Sequence, residues 1–555
     1  MKFVSIYFTF VLASAVFFLN TSESFAQETL TAAEWQEDLR YLQKIVHKEY
    51  PFLFKKVKAK TFDAEVEKFY ANIPSMETHE IKVGLTRMVS FFEYGHTQIP
   101  FGTIAEDAVL AVNLYHFEDG IFVEGVQKGN EKALGAKVVK VANMPIEEAL
   151  KAIRPVVPAE NDQYFKGYGL RFLTVPAVLH AQGVIPEITN EIELTLEKDG
   201  TIFQHSFAAI PLSKISRSYG FTNPNEQWVS AREQAETPLF LKHLNDKLYF
   251  FEYLAESKTL YVRQSSVFND EKETLVDFYT RLFEFIDTNT IDKLVYDVRL
   301  NGGGNNYNNK PFIKGIMARP EINKRGKFFF IIGRSTFSAC QNLTNEIENY
   351  TEAIIVGEPT SENQNFYGDT RKVTLPNSQI NAYLSFAWWQ DKSPWDGKEW
   401  TIPHIAKAMT FDEYVSNRDG VLDAALKYTE TGFILNPMEH LTQLFSDGKY
   451  EQIKIDGAKI AKDPAYKYYD FQEEFSSAGY RLLGGGMPEG GLFILELVAD
   501  IYPESKGAIF NLATAQEQME QFDKAKESYK RVIELDPKGM TGRSAANKLK
   551  KLNEQ

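Results

Sequence analysis

Between residues 260 and 358 four short β-rich runs, LYVRQSSV, KLVYDV, KFFFIIG and AIIVGE, alternate with helical or glycine-rich pieces. Strands of this kind bury both faces of a sheet only when helices cover them, so the stretch predicts an α/β core. Three of its loops follow strands directly, and residues on such loops are the first candidates for chemistry.

The flanks read differently. Trp35, Leu39, Leu42 and Val46 keep a helical spacing, as do Ile81, Leu85, Met88 and Phe92. The second helix is predicted to stop at Gly95, leaving His96 just past its end. From 104 to 212 the period shortens towards strands, with Asp119-Gly120 and Asp199-Gly200 as hairpin signals. The polar residues 213–238 read as a linker. After 433 the chain turns helical, and Pro503 and Pro537 stand one tetratricopeptide period apart. Counted from the second proline, Tyr529, Ala525, Ala513 and Leu512 fall on the packing positions of such a repeat. Counted from the first, Leu495, Gly491, Gly479 and Ala478 do so. The tail resembles tetratricopeptide repeats, with SDGKYEQIKIDGAKIAKD upstream as a degenerate third, and is expected to recruit a protein partner.

The chain begins with a Lys, an apolar run to about Leu19 and a polar stretch ending Ser24-Phe25-Ala26. This is the plan of a secretory signal cleaved after Ala26; a membrane anchor is the other reading, but the small-x-small ending serves only cleavage. The mature protein is expected to be exported, to periplasm or medium, without a membrane segment. A net charge of −14 argues against nucleic acid as partner. The lone Cys340 forms no internal disulfide, and without H-E-x-x-H or paired C-x-x-C motifs no metal or cofactor is expected.

The first strand-end loop, LVYDVRLNGGGNNYN, carries Gly302 to Gly304. Glycines let backbone amides approach a ligand closely. The phosphate-cradle spacing is absent, which leaves a plain turn or an oxyanion hole. The second loop, GRSTFSACQNLTNEIE, follows the strand FFFIIG and enters a helix whose apolar stripe is Ala339, Leu343 and Ile347. Ser338 therefore stands at the helix N-terminus, where serine caps well and where the dipole also favours developing negative charge. Both readings stand on the sequence. G-x-S-x-G fails because Phe337 occupies the required glycine position. Cys340 reads as a small buried residue, and Asp297 with Arg299 as a structural pair.

The third loop is VGEPTSENQNFYGD. With it, LYVRQSSV, DVRLNGGG, RSTFSAC and GEPTSENQNFYGD, in that order and spacing, resemble the tail-specific, or C-terminal-processing, serine peptidases. The resemblance covers residues 245–430 well and 30–212 more loosely. It implies an α/β fold with a crotonase-like ββα core, a nucleophile at Ser338, and an oxyanion hole from the Ala339 amide and the Gly302–Gly303 loop. It also implies a PDZ-like domain upstream, matched by LGAKVVKVANMPIEEAL. The family's Lys base is replaced by Asn363. The tricorn-core-like branch uses a histidine in a G-H-T-like context, and EYGHTQIP places His96 there. A late carboxylate orients that histidine in the same branch, which implies Glu399, with Asp396 next. Gly95 stands where that branch has a helper serine.

The plan so implied is a signal at 1–26, an N-terminal helical segment at 27–103 and a PDZ-like domain at 104–212. A linker at 213–238, a catalytic core at 239–432 and helical repeats at 433–555 complete it. The expected activity is exported serine endopeptidase on extended or unfolded polypeptides; the alternative is a silent relative that binds peptide or hydrophobic ligand.

Overall fold

The architecture is that of a computed structural model that describes residues 30–554 apart from 106–107, 233, 396 and 431–432. The expected signal segment lies outside the described residues. No described helix is long and apolar enough to cross a membrane.

The four β-rich runs form consecutive strands of one six-stranded sheet. Tyr249–Leu254 pairs antiparallel with Thr259–Gln264, after which Lys293–Asp297, Phe328–Ile332, Ile354–Gly357 and Ile405–Ala406 add in parallel. The central strands are buried along nearly their whole length, as parallel strands covered on both faces must be. Helices Leu275–Thr288, Lys310–Met317 and Ala339–Tyr350 pack one face, and helix Gly420–Lys427 packs the other. All three chemistry-bearing loops leave the carboxyl ends of parallel strands, on one edge of the sheet. Asp297 and Arg299 are a structural pair: Arg299 bridges Asp297 at 2.7 Å and Asp419 at 2.8 Å, fastening the helix Gly420–Lys427 to the sheet.

The N-terminal helices are not a separate lobe. Ala32–Glu49, Ala59–Asn72 and Thr78–Ser90 share one apolar cluster with Leu375, Ile380, Ala382 and Leu384. Those four residues belong to a long hairpin, Asn365–Thr374 with Asn381–Gln390, or to its turn. The buried Asp38 pins the arrangement by accepting from Asn377 N and Ser378 N, each at 2.8 Å. Hairpin and helices together carry the chain that ends in His96.

Residues 109–230 form an eight-stranded antiparallel sheet, with helices between Ile146 and Ala181 on one side. The stretch 213–238, expected as a linker, is built into this sheet. Trp228–Ser230 pairs with Gly125–Gln127, and Trp228 is buried. The cause is Glu124, a buried carboxylate that takes hydrogen bonds from Asn113, Thr222, Ser230 and Tyr414. Without donors from the supposed linker its charge would be stranded in the interior.

The tail is helical from Pro437 to Glu554. Ala513, Ala525, Tyr529 and Leu495 are fully buried, as the repeat spacing requires. Gly479 and Gly491 meet at backbone distance: a Cβ on Gly491 would lie 2.7 Å from the Gly479 carbonyl oxygen.

Asp38→Ala removes the acceptor for two amides at once. It is expected to lower unfolding stability by about 2–4 kcal/mol, read from urea denaturation. Destabilisation no greater than that of an exposed helix substitution would show that the hairpin holds the helices without it.

Candidate active site

Helix Thr78–Ser90 ends five residues before the predicted stop, and Glu93, with a φ of 54°, turns the chain out of the helical direction. The segment beyond this turn is clamped. Thr97 N donates to Tyr94 O at 2.8 Å, the Thr97 and Ser385 hydroxyls meet at 2.6 Å, and Gln98 exchanges two backbone hydrogen bonds with Tyr383. Gly95 is required by space: a Cβ would stand 2.4 Å from the Tyr164 ring and 2.8 Å from Phe337. His96 lies stacked on Phe337, with ring centroids 4.5 Å apart, and near Phe366, at 5.9 Å.

Ser338 resolves the ambiguity left by the sequence. It occupies the N-cap position of helix Ala339–Tyr350, yet its hydroxyl caps nothing. The oxygen instead lies 2.9 Å from His96 Nε2, across 242 residues of sequence. Its backbone is held at φ 56°, ψ −128°, a conformation that costs a non-glycine residue about 1–3 kcal/mol. The surroundings enforce it: Phe337 N donates to Asn301 O, Ser338 N donates to a carboxylate oxygen of Glu362, and Ser338 O accepts from Gln341 and Asn342.

Glu362 is the carboxylate beside the histidine. Its Oε1 lies 3.0 Å from His96 Nδ1 and its Oε2 takes the Ser338 amide. The Nδ1 contact is close but out of line, so neither atom has a well-aligned hydrogen-bond partner in this resting arrangement. Such bonds often tighten only when substrate binds. Glu399, which the resemblance implied, is exposed and contributes only its backbone carbonyl, to Asn161 at 2.7 Å. Asp396 lies outside the described residues. Glu362 sits in the third strand-end loop, VGEPTSENQNFYGD, next to Asn363; the signal was a carboxylate beside the position aligned with the family's base.

A second carboxylate, Glu160, carries no motif that would single it out in the sequence. It is buried, accepts from Gly95 N at 3.0 Å and Asn363 N at 3.2 Å, and stands 4.0 Å from Lys56 Nζ. Burial drives the pKa values here. It lowers His96 to about 4 against the opposing pull of Glu160. It raises Glu160 to about 7, with Glu362 adding to the rise, and it pushes Glu362 well above the usual carboxylate range. The imidazole is thus held neutral. His96, Glu160 and Glu362 bring one ring nitrogen and two carboxylate oxygens within 4.8 Å of one another, a donor set that a divalent cation could use. Protein groups already compete for it, namely the Ser338 hydroxyl and the amides of Gly95, Ser338 and Asn363.

The glycine loop comes to Ser338. A Cβ on Gly303, whose φ is +102°, would lie 2.7 Å from Ser338 Cβ and 2.9 Å from Ala339 N. The absent side chain leaves the space beside the Ala339 amide open. Gly303 N itself is engaged by Asn301 Oδ1 at 2.9 Å, so Gly303 supplies room rather than a donor. The amides of Gly302 and Ala339 have no acceptor among the described residues. Cys340 is buried with its thiol pKa raised by burial, and His404 Nδ1 accepts from Ile355 N at 3.0 Å, a structural contact.

The chain shares its fold with mature CPAF, and its tail carries a tetratricopeptide repeat. Mature CPAF superposes with a TM-score of 0.51 at 12% identity, over 72% of this chain and 97% of that one. A single-residue mutant of CPAF gives 0.51 and 12%, over 74% of this chain and 100% of that one. The photosystem II D1 C-terminal processing protease is a looser likeness, 0.31 at 13% identity, over 67% and 93% of the two chains. Residues 508–538 match the tetratricopeptide repeat family. Comparison with curated protein sequences gave no match.

Nuclear magnetic resonance with isotope-labelled histidine reads the imidazole directly. His96 is expected to stay neutral through about pH 6, where an exposed imidazole takes its proton, and to protonate only towards about 4. Glu160→Gln should leave the value close to the parent's, because Glu160, raised to about 7, is itself protonated in the range where His96 titrates. An ordinary titration of His96 near 6.5 would show that the ring is not buried as described.

Proposed function

We propose that the protein is an exported serine endopeptidase that hydrolyses extended or unfolded polypeptides. The observation that carries this reading is the line Ser338 Oγ, His96 Nε2, with Glu362 behind Nδ1, in which the serine has left its capping role. In this reading His96 takes the hydroxyl proton as Ser338 Oγ attacks the substrate carbonyl carbon, and Glu362 orients the ring and stabilises the imidazolium. The amides of Ala339 and Gly302 receive the oxyanion beside Gly303. His96 then returns its proton to the leaving amine, and water releases the acyl group from Ser338 by the same steps.

The N-terminal apolar run ending Ser24-Phe25-Ala26 supports export. The sheet of residues 109–230 is read as the PDZ-like element, taking extended peptide by strand addition. The repeat tail is read as a site for a protein partner.

Incubation of the mature chain with an unfolded protein and a mixed peptide library, with products identified by mass spectrometry, tests the proposal. Cleavage is expected from the parent, with Ser338→Ala and His96→Ala each reduced roughly a thousandfold or more. Glu362→Gln should lose about a hundredfold or more, because the ring loses its charged support. Activity of Glu362→Gln equal to the parent would return the orienting role to another carboxylate. Absence of cleavage by folded parent would favour a silent, ligand-binding protein.

The acidic limb of kcat/KM should fall near neutrality, since Glu160 titrates at about 7 and Glu362 is also raised. As pH drops, protonating these carboxyls removes the negative charge that supports the imidazolium, so activity is present above the limb and lost below it. A limb at the ordinary carboxylate range of about 4 would contradict this electrostatic account.

A further inference from the structure

Next to the nucleophile lies a cavity of about 280 Å³ whose walls include Gly302 and Ser335. Four cations face it, Lys166, Arg171, Arg217 and Arg334, and no carboxylate lines it among the described residues. Arg334 is neutralised by Glu358, with contacts at 2.7 and 3.1 Å. The other three make no ion pair among the described residues. Arg171 lies against Phe101, its guanidinium carbon 4.6 Å from the ring centre, with its Nε buried and unpartnered. Arg217 donates to Asn113 Oδ1 at 3.3 Å, and Asn113 in turn leans on Glu124. Burial lowers the pKa of Arg171 and of Lys166, and brings Arg217 to about 10, with Arg171 adding to the fall.

Glu124 acts on Arg217, and Glu358 and Asp162 on Lys166, from behind the cavity lining, so the cavity itself gathers cations with no carboxylate facing them, which is costly. A folded chain that retains them beside a reactive serine has a use for the missing anion. The tyrosines Tyr115, Tyr168 and Tyr219 give the cavity aromatic walls, and the Tyr168 hydroxyl stands 3.8 Å from the position of a Cβ on Gly302. The opening therefore adjoins the amide proposed to receive the oxyanion. A residue flanking the scissile bond reaches the cavity when the carbonyl is seated there.

We propose that this cavity is a carboxylate subsite, in which Arg171, Arg217 and Lys166 bind a carboxylate of the peptide next to the bond that is cut. The carboxylate is an Asp or Glu side chain; a free chain end carries the same group and is separated from it by the test. Planar guanidinium groups suit such an anion, which would supply the acceptor that Arg171 Nε lacks. The assignment rests on the peptidase reading for its position, and on the cavity alone for its chemistry.

Two measurements separate these dependencies. The first is binding of fluorescent peptides to the full-length mature Ser338→Ala protein, by anisotropy. Peptides carrying Asp or Glu are compared with Asn or Gln counterparts, and free C-termini with amides. Removing the side-chain carboxylate is expected to weaken binding about tenfold or more, and a loss confined to C-terminal amidation would overturn the side-chain assignment. In the same background Arg217→Gln and Lys166→Gln should erase the preference, while Arg217→Lys keeps part of it. These two positions are used because burial of Arg171 makes its variants liable to misfold; melting temperature monitors all of them. The second measurement is kcat/KM of the parent and of Arg217→Gln on the matched peptides. The loss should appear mainly in KM and only for the carboxylate peptide.

Carboxylate preference in binding with no cleavage by the parent would overturn the peptidase reading and keep the subsite. Cleavage without carboxylate preference, or a preference unchanged in folded Arg217→Gln and Lys166→Gln, would overturn the subsite and keep the peptidase.

Discussion

Glu362 holds the site together from both sides. One oxygen takes the amide of Ser338 and so fixes the turn that points the hydroxyl away from the helix; the other faces His96 Nδ1. A single buried carboxylate thus couples the strained backbone of one partner to the ring orientation of the other. Strain of this kind persists only where neighbours over-determine it, and here Asn301, Glu362 and the first turn of the following helix all do. The same burial that makes the contact strong raises the carboxyl pKa. Its charge is most favourable when the imidazole is protonated.

The histidine arrives by a different route, and its position depends on distant chain. Helices of the N-terminal segment and a hairpin some three hundred residues later share one core, with Asp38 and the Thr97–Ser385 contact as polar fasteners. The side chain missing at Gly95 lets Tyr164 and Phe337 close on that point, and Phe337 is itself the residue before Ser338. Placement of the ring against the serine is therefore a property of the assembled core, not of either local segment.

The split between local and assembled structure explains what the residues alone could reveal. The position of Ser338 was legible because a β-rich run, a turn and an apolar helical stripe determine a strand–loop–helix edge locally. His96 was legible from its G-H-T context, but its reach to the serine was not. Glu362 was missed because an acidic residue in a loop has the same sequence signature whether it faces solvent or a histidine. Glu399, in a similar polar stretch, proved to be the exposed one. The donor and non-donor glycines could not be separated either, since it is the Asn301 side chain that occupies the Gly303 amide. The supposed linker looked free because its polar residues find their partner, Glu124, some hundred residues upstream.

The tail shows the opposite limit, where local pattern is nearly sufficient. Helices from Pro437 onward form apolar clusters drawn almost wholly from their own sequence, so each pair packs on its neighbours in a quasi-one-dimensional stack. The base of the tail is fused to the peptidase-like core. There Phe433, Leu435 and Ala465 join the cluster under the sheet, Phe433 stacks on Tyr466, and Lys467 pairs with Glu118. Tyr468 comes close enough to Arg334 and Glu358 for their charges to act on its ionisation. The stalk of the repeats thus comes near Arg334, which lines the cationic cavity. Packing fixes the tail at that end.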